Sequence, residues 1–169
     1  QMNLLTSHDT PRLLSLLRGD VARARLALGL LFLLPGNPTV YYGEEVGMEG
    51  GPDPENRGGM VWEEGRWREE LREAVRRMAR LRRAHPELRT APYRRVYAQD
   101  RHLAFARGPY LAVVNASDRP FRQDLPLHGV FPRGGEALDL LSGARAQLQG
   151  GRLLGPELPP FALALWQEV

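Results

Sequence analysis

The chain has 169 residues, 43% of them apolar, and its 18 glycines and 14 prolines fall short of what a disordered or collagen-like polymer carries, so it is long enough for one domain or two small ones. Its net charge of +3 is modest, and all 23 basic residues are arginine, a compositional bias rather than a nucleic-acid signature. The absence of cysteine excludes a disulfide framework, a thiolate metal site and a cysteine nucleophile, which fits a reducing, cytoplasmic setting, and no apolar run reaches the roughly 18 residues that span a membrane.

The pattern opens mid-strand at Gln1, no signal peptide is legible, and the chain reads as a segment of a longer protein. Asn3 to Leu5 form the apolar-leaning end of a short buried strand, and Ser7, His8 and Asp9 stand where it stops. An acid beside a histidine just past a strand end is where barrel enzymes keep their catalytic groups. Thr10 and Pro11 then open a helix, so Asp9 or Thr10 also reads as a plain helix cap. Gly19-Asp20 interrupts that helix, and Asp20 can cap a second one. From 21 to 34 leucines are too dense for a helix with one wet face, so this helix should be buried. Pro35-Gly36-Asn37-Pro38 ends it. Thr39-Val40-Tyr41-Tyr42, β-branched and aromatic, predicts a strand with both tyrosines in its core. Glu44 and Glu45 follow, and as neighbours on an extended chain they would face opposite sides.

Residues 47–65 form a long glycine-rich loop carrying Asp53, Glu55 and Arg57, with Met60, Val61 and Trp62 as its expected anchor. Residues 67–83 predict an amphipathic helix, with Trp67, Leu71, Ala74, Val75, Met78 and Leu81 on one stripe. Glutamates crowd its start and arginines its end, as the helix dipole favours, so the arginines read as a solvated cluster. His85 reads as a surface residue at the helix end. From Pro92 the period changes to two. Candidate strands are 93–98, 102–107, 110–115, 121–126, 136–141, 153–154 and 161–167, separated by Gly- and Pro-rich turns, which means an antiparallel sandwich. Asn115-Ala116-Ser117 fits a glycosylation sequon but is better read as a turn.

Two stretches carry a family resemblance. Asn3-Leu4-Leu5-Thr6-Ser7-His8-Asp9-Thr10-Pro11-Arg12 resembles the last shared motif of the α-amylase superfamily of glycoside hydrolases. The run from Pro35-Gly36-Asn37-Pro38 through Tyr41-Tyr42-Gly43-Glu44-Glu45 to Gly51-Pro52-Asp53-Pro54-Glu55-Asn56-Arg57 is similar to the eighth barrel strand and its following loop in the neopullulanase, cyclomaltodextrinase and oligo-1,6-glucosidase branch. The two motifs occur in the family's order and at its usual separation, within residues 1–65.

The resemblance implies an α/β part followed by an all-β part. Residues 1–88 would be the end of a (β/α)8 TIM barrel, with strands seven and eight and their helices, and 89–169 an antiparallel β-sandwich C-terminal domain. It implies a retaining mechanism, which needs two carboxyl groups about 5–5.5 Å apart. Those lie on earlier strands outside this chain. Asp9 would be the third acid, the transition-state stabiliser. It would hold hydroxyls of the sugar at the cleavage point, and His8 would bind the same sugar. In the loop pattern Asp-Pro-x-x-Arg, Asp53 and Arg57 would lie beside the entering sugar, although from the residues alone an internal pair that stiffens the loop is an equal reading. Gly58-Gly59 stands where a basic residue and proline are more usual, which leaves the preferred substrate length open.

No redox cofactor is implied and no metal site is readable here; calcium in the parent protein stays open. The implied partners are an oligosaccharide substrate and the rest of the barrel, with a homodimer open and neither nucleic acid nor membrane expected. The alternative is a non-catalytic carbohydrate-binding or subunit-contact module. Unpaired strand edges and an uncovered apolar helix predict that this chain alone aggregates or associates through that face.

Overall fold

A computed structural model describes all residues, 1–169, as two compact units, Gln1–Ala84 and His85–Val169. The first unit begins with strand β1 (Met2–Leu4), helices α1 (Leu13–Leu16) and α2 (Val21–Leu33), and strand β2 (Asn37–Thr39). β1 and β2 pair in parallel, with Met2 opposite Asn37 and Leu4 opposite Thr39. Parallel strands cannot be joined by a tight turn, and the two helices supply the crossover. The Asp20 carboxylate caps α2, accepting from the Arg23 backbone N–H at 3.0 Å. Seven of the residues of α2 are buried, among them Leu26, Leu28, Leu31 and Leu33, as its all-round apolar pattern predicts.

β2 is earlier and shorter than the aromatic run suggested. The chain leaves extended pairing after Thr39, so Tyr41 and Tyr42 lie beyond the strand, with Tyr42 41% exposed. The long helix, α3 (Glu69–Ala84), buries Leu71 and Met78. Leu71 joins a cluster with Leu13, Leu14, Ala24 and Leu28. Trp67 precedes α3; its indole donates to the Val61 carbonyl at 2.8 Å and the Arg72 guanidinium covers its ring at 4.7 Å. This bond is the loop anchor, whereas Trp62 is 76% exposed. One of the expected solvated arginines is buried: Arg82 donates to the carbonyls of Phe32, at 2.7 Å, and Gly36, tying α3 to the end of α2. Met2, Leu4 and Leu5 remain exposed and, with Ala27, Leu30 and Leu31, line an apolar groove of about 710 Å³.

The second unit opens with a short helix, α4 (Glu87–Thr90), then eight strands: β3 (Tyr93–Gln99), β4 (His102–Arg107), β5 (Tyr110–Asn115), β6 (Asp124–Pro126), β7 (Gly135–Asp139), β8 (Arg145–Gln149), β9 (Arg152–Leu154) and β10 (Ala162–Glu168). They form one antiparallel hydrogen-bonded order, β3-β4-β5-β10-β7-β8-β9-β6. β3 and β6, at the two ends of that order, come into contact, so the sheet folds back over its own apolar face, in keeping with a sandwich-like arrangement. The core between the faces includes Leu111, Val113, Leu125, Leu153 and Trp166.

β8 is absent from the sequence reading because Arg145-Ala146-Gln147-Leu148-Gln149 alternates with too small an apolar amplitude, even though Ala146 and Leu148 face inward. Asn115 is fully buried. Its amide donates to the carbonyls of Arg119, Leu158 and Pro159 at 2.7, 3.1 and 2.8 Å, and its oxygen accepts from Ser117, so the turn reading holds and the sequon is inaccessible. His85 is not a free surface residue: its Nδ1 shares a 2.7 Å hydrogen bond with the Tyr110 hydroxyl.

Candidate functional site

After β1 the chain turns sharply. The Thr10 backbone N–H donates to the Ser7 carbonyl at 3.2 Å, the Ser7 backbone N–H to the Thr10 hydroxyl at 2.9 Å, and the Asp9 backbone N–H to the Ser7 hydroxyl at 3.1 Å. Thr10 is thus engaged inside the turn, and neither it nor Asp9 caps α1. The cap comes from a distant residue, Glu44, whose carboxylate oxygens accept from the Leu13 backbone N–H at 3.1 and 3.2 Å and from the Thr6 hydroxyl at 2.6 Å. Glu44 begins a single 3₁₀ turn, Glu44–Val46, flanked by Gly43 and Gly47 at positive φ, and this bend replaces the extended geometry expected of Glu44 and Glu45. Glu44 is a structural acid, not one of a catalytic pair.

The Asp9 carboxylate instead points out of the turn, 69% exposed, 3.3 Å from His8 Nε2 and 3.7 Å from Arg57 Nη2. Arg57 lies on a 3₁₀ turn, Glu55–Arg57. Its Nε is shared between the Asp53 carboxylate, at 3.0 Å, and the His8 carbonyl, at 3.2 Å. Asp53 and Arg57 therefore pair within the loop, and the same guanidinium reaches Asp9. His8, Asp9 and Asp53 thus gather at Arg57, His8 touching it through its backbone carbonyl while its imidazole faces Asp9. The pairs are exposed and contribute little to stability, about 0–1 kcal/mol each. Their charges stay available to a ligand rich in hydroxyls. No group of three or more His, Asp or Glu is arranged to hold a metal ion, and no helix is long and apolar enough to cross a membrane.

The loop that delivers Arg57 is fastened to the body at several points. The Arg12 backbone N–H donates to the Gly50 carbonyl at 3.0 Å, and the Gly50 N–H to the Ser15 hydroxyl at 2.8 Å. A Cβ on Gly50 would lie 2.6 Å from the Glu55 carbonyl oxygen, so glycine lets the two passes of the loop touch. The Tyr42 hydroxyl donates to the Gly58 carbonyl at 2.8 Å. Arg12, fully buried, donates to the Tyr42 carbonyl at 2.6 Å and sits 4.8 and 4.7 Å from the centroids of Tyr41 and Tyr42. Its Nε and Nη2 face no acceptor, and the two aromatic faces offset that loss. The tyrosines are loop pins rather than strand core.

Asn56, also fully buried, donates to the His8 carbonyl at 2.7 Å and to the Thr10 carbonyl at 3.0 Å. Sequence reasoning gave no role to either Arg12 or Asn56: a lone buried amide in a glycine-rich loop leaves no periodicity, and the partners that bury Arg12 lie about thirty positions away.

Burial pushes the Glu44 carboxyl above its ordinary range, against the opposing pull of the Thr6 hydroxyl, the Leu13 N–H and Arg12. An acid whose folded-state value is raised holds its proton more tightly when folded, so its contribution to stability falls as pH rises from about 4.5 through that value. Glu44→Gln keeps one oxygen for Thr6 and Leu13 but cannot ionise. In melting curves from pH 4 to 8, its melting temperature relative to wild type should climb with pH. Parallel curves would refute the assignment.

Three comparisons bear on the geometry. The family description "Alpha amylase, catalytic domain" matches residues 1–108, and "Neopullulanase-like, C-terminal domain" matches residues 93–167. A cyclomaltodextrinase of Geobacillus thermopakistaniensis is 35% identical over 170 residues, covering 97% of this chain and 28% of that protein. Neopullulanase 2 of Thermoactinomyces vulgaris is 34% identical over 97% of this chain and 29% of its own length. A crystal structure of a Thermus thermophilus protein superimposes with a TM-score of 0.97 at 80% identity, covering 99% of this chain and 35% of that one. The chain thus spans about a third or less of the length of these relatives.

Proposed function

This chain belongs to the α-amylase family, and on that premise we propose that it is the C-terminal part of a retaining glycoside hydrolase that cuts α-glucosidic bonds of maltooligosaccharides, cyclodextrins or pullulan. Residues 1–88 are read as the last two strands of a (β/α)8 barrel with their helices, and 89–169 as its C-terminal β domain. The observation that carries the reading is the convergence on Arg57 of Asp9 and Asp53, which come from the loops after two parallel strands and so lie at the same, C-terminal, end of that pair. That end is where barrel enzymes assemble their active sites. The apolar groove of Met2, Leu4, Leu5 and Leu31 is then the face that the preceding barrel strands cover.

In this reading the nucleophile and the general acid/base come from those preceding strands. Asp9 accepts hydroxyl protons of the sugar at the cleavage point, and these bonds strengthen as positive charge builds on the ring. His8 supplies a further polar contact to the same sugar. Asp53 and Arg57 offer an acceptor and a fork of donors to the neighbouring sugar. The non-catalytic alternative finds no support: the convergent polar groups lie in the α/β unit, and the related proteins above are named as enzymes.

The test is hydrolysis of β-cyclodextrin, pullulan and maltotriose by the full-length protein. Reducing sugar should appear from at least one, and the first-formed product should keep the α configuration when followed by NMR. An inverted product, or no reducing sugar from any of the three, would overturn the reading.

A further inference from the structure

We propose that Asn56 is a positioning residue for Asp9: its carboxamide grips the two carbonyls on either side of that acid and so fixes the direction of the carboxylate. The proposal rests on the role given to Asp9 above. The carbonyl of His8 belongs to the peptide that enters Asp9, and that of Thr10 lies one residue beyond it. Asn56 Nδ2 donates to both, at 2.7 and 3.0 Å, from a side chain with no solvent exposure. The hydrogen bonds among Ser7, Asp9 and Thr10 set the shape of the turn but not its tilt against the rest of the molecule. Asn56 fixes that tilt, because its own backbone is held: the turn bearing it packs against Gly50, and its carbonyl accepts from the Tyr41 hydroxyl at 3.4 Å.

The residue type follows from the task. One nitrogen must give two protons to two carbonyls in a dry place without bringing a charge. Among neutral side chains only a primary amide does so, and asparagine is the shorter of the two. A carboxylate of the same shape has no proton to give and would face both carbonyls with like charge. Arg57 adds a second, more exposed bond to the His8 carbonyl. Neighbours in one turn therefore divide the work: Asn56 aims Asp9 from below, and Arg57 meets it from the solvent side.

Misplacing a reacting group by about 1 Å costs on the order of a hundredfold in rate. Asn56→Ala in the full-length enzyme should lower kcat about 10- to 100-fold on the best-hydrolysed of β-cyclodextrin, pullulan and maltotriose, with KM changed less than about threefold. Because the effect acts through Asp9, the same substitution in an Asp9→Asn background should cost less than about threefold more. Asn56→Gln, which keeps the amide one methylene out of register, should lie between Asn56→Ala and wild type, and it serves as the folded variant if alanine is not tolerated.

The outcomes separate cleanly. Wild-type turnover by Asp9→Asn removes the reading of Asp9 on which the proposal depends. If Asp9→Asn is impaired, the proposal alone fails on any of these results: wild-type kcat in Asn56→Ala, a loss confined to KM, a full additional penalty on the residual turnover of the double variant, or insolubility of every Asn56 variant. The last would mark the amide as purely structural.

Discussion

On the role proposed for Asp9, Asp9→Asn should lower kcat of the full-length protein by at least about a hundredfold, the scale seen when one electrostatic stabiliser of a transition state is removed, and should change folding stability by less than about 0.5 kcal/mol. The two halves of this expectation come from the same geometry. The carboxylate is 69% exposed and touches only His8, at 3.3 Å, and Arg57, at 3.7 Å, so the fold hardly uses it. An amide has the same shape, but in the proposed role it would lose the charge that offsets developing oxocarbenium character and one of two acceptors for sugar hydroxyls. Steady-state kinetics with parallel thermal melts would check both halves. Wild-type kcat would sink the role. A collapse in melting temperature would mean that the turn depends on the acid in a way the contacts do not show.

Trp166→Ala removes the largest fully buried side chain, and the second unit should lose about 3–5 kcal/mol for the vacated volume. A further cost of about 1–3 kcal/mol arises because the indole donates to Gln123 Oε1 at 2.9 Å, and that buried oxygen loses its donor. Gln123 is in turn bound to the Pro156 carbonyl at 2.7 Å, so the loss spreads into the segment around β6 and β9. Since whole domains are stable by only about 5–15 kcal/mol, the variant should be largely unfolded at moderate temperature. Denaturant titration against Trp166→Phe, which keeps most of the ring but not the N–H, would divide packing from hydrogen bonding. A loss below about 1 kcal/mol for the alanine variant would contradict this account.

What the sequence made legible was whatever repeats or punctuates. The apolar density of α2, the Asp20 cap and the stripe of α3 survive in the structure, because periodicity and turn chemistry are local, and β4, β5 and β10 form close to their expected bounds, although their central residues are buried on both faces instead of alternating. The candidate site residues stood out because they lie in long motifs, and the structure brings His8, Asp9 and Asp53 together at Arg57. The misreadings share a different cause. Tyr41 and Tyr42 have strand composition, but β2 ends at Thr39 and the pair is recruited to cover Arg12. Thr10 has cap chemistry, but Glu44, over thirty positions away in sequence, takes the cap. Arg82 looks like a solvated helix end, but the groups it satisfies are carbonyls of another element. In each case a long-range partner outweighed a local preference, and no window of neighbouring residues contains that partner.

The place of β10 in its sheet has a consequence for how the protein is made. On one side of it stands the meander β3-β4-β5 and on the other β7-β8-β9 with β6, so the strand that comes last of the eight in sequence is the splice between two halves. During translation each half can zip up as soon as its own hairpins leave the ribosome, yet neither has its central neighbour until Ala162–Glu168 emerges. A nascent chain stalled before that point carries two open edges, at β5 and β7, each bare of the partner it is shaped for. A deletion of Ala162–Glu168 therefore does not trim the rim of the domain; it takes out the middle.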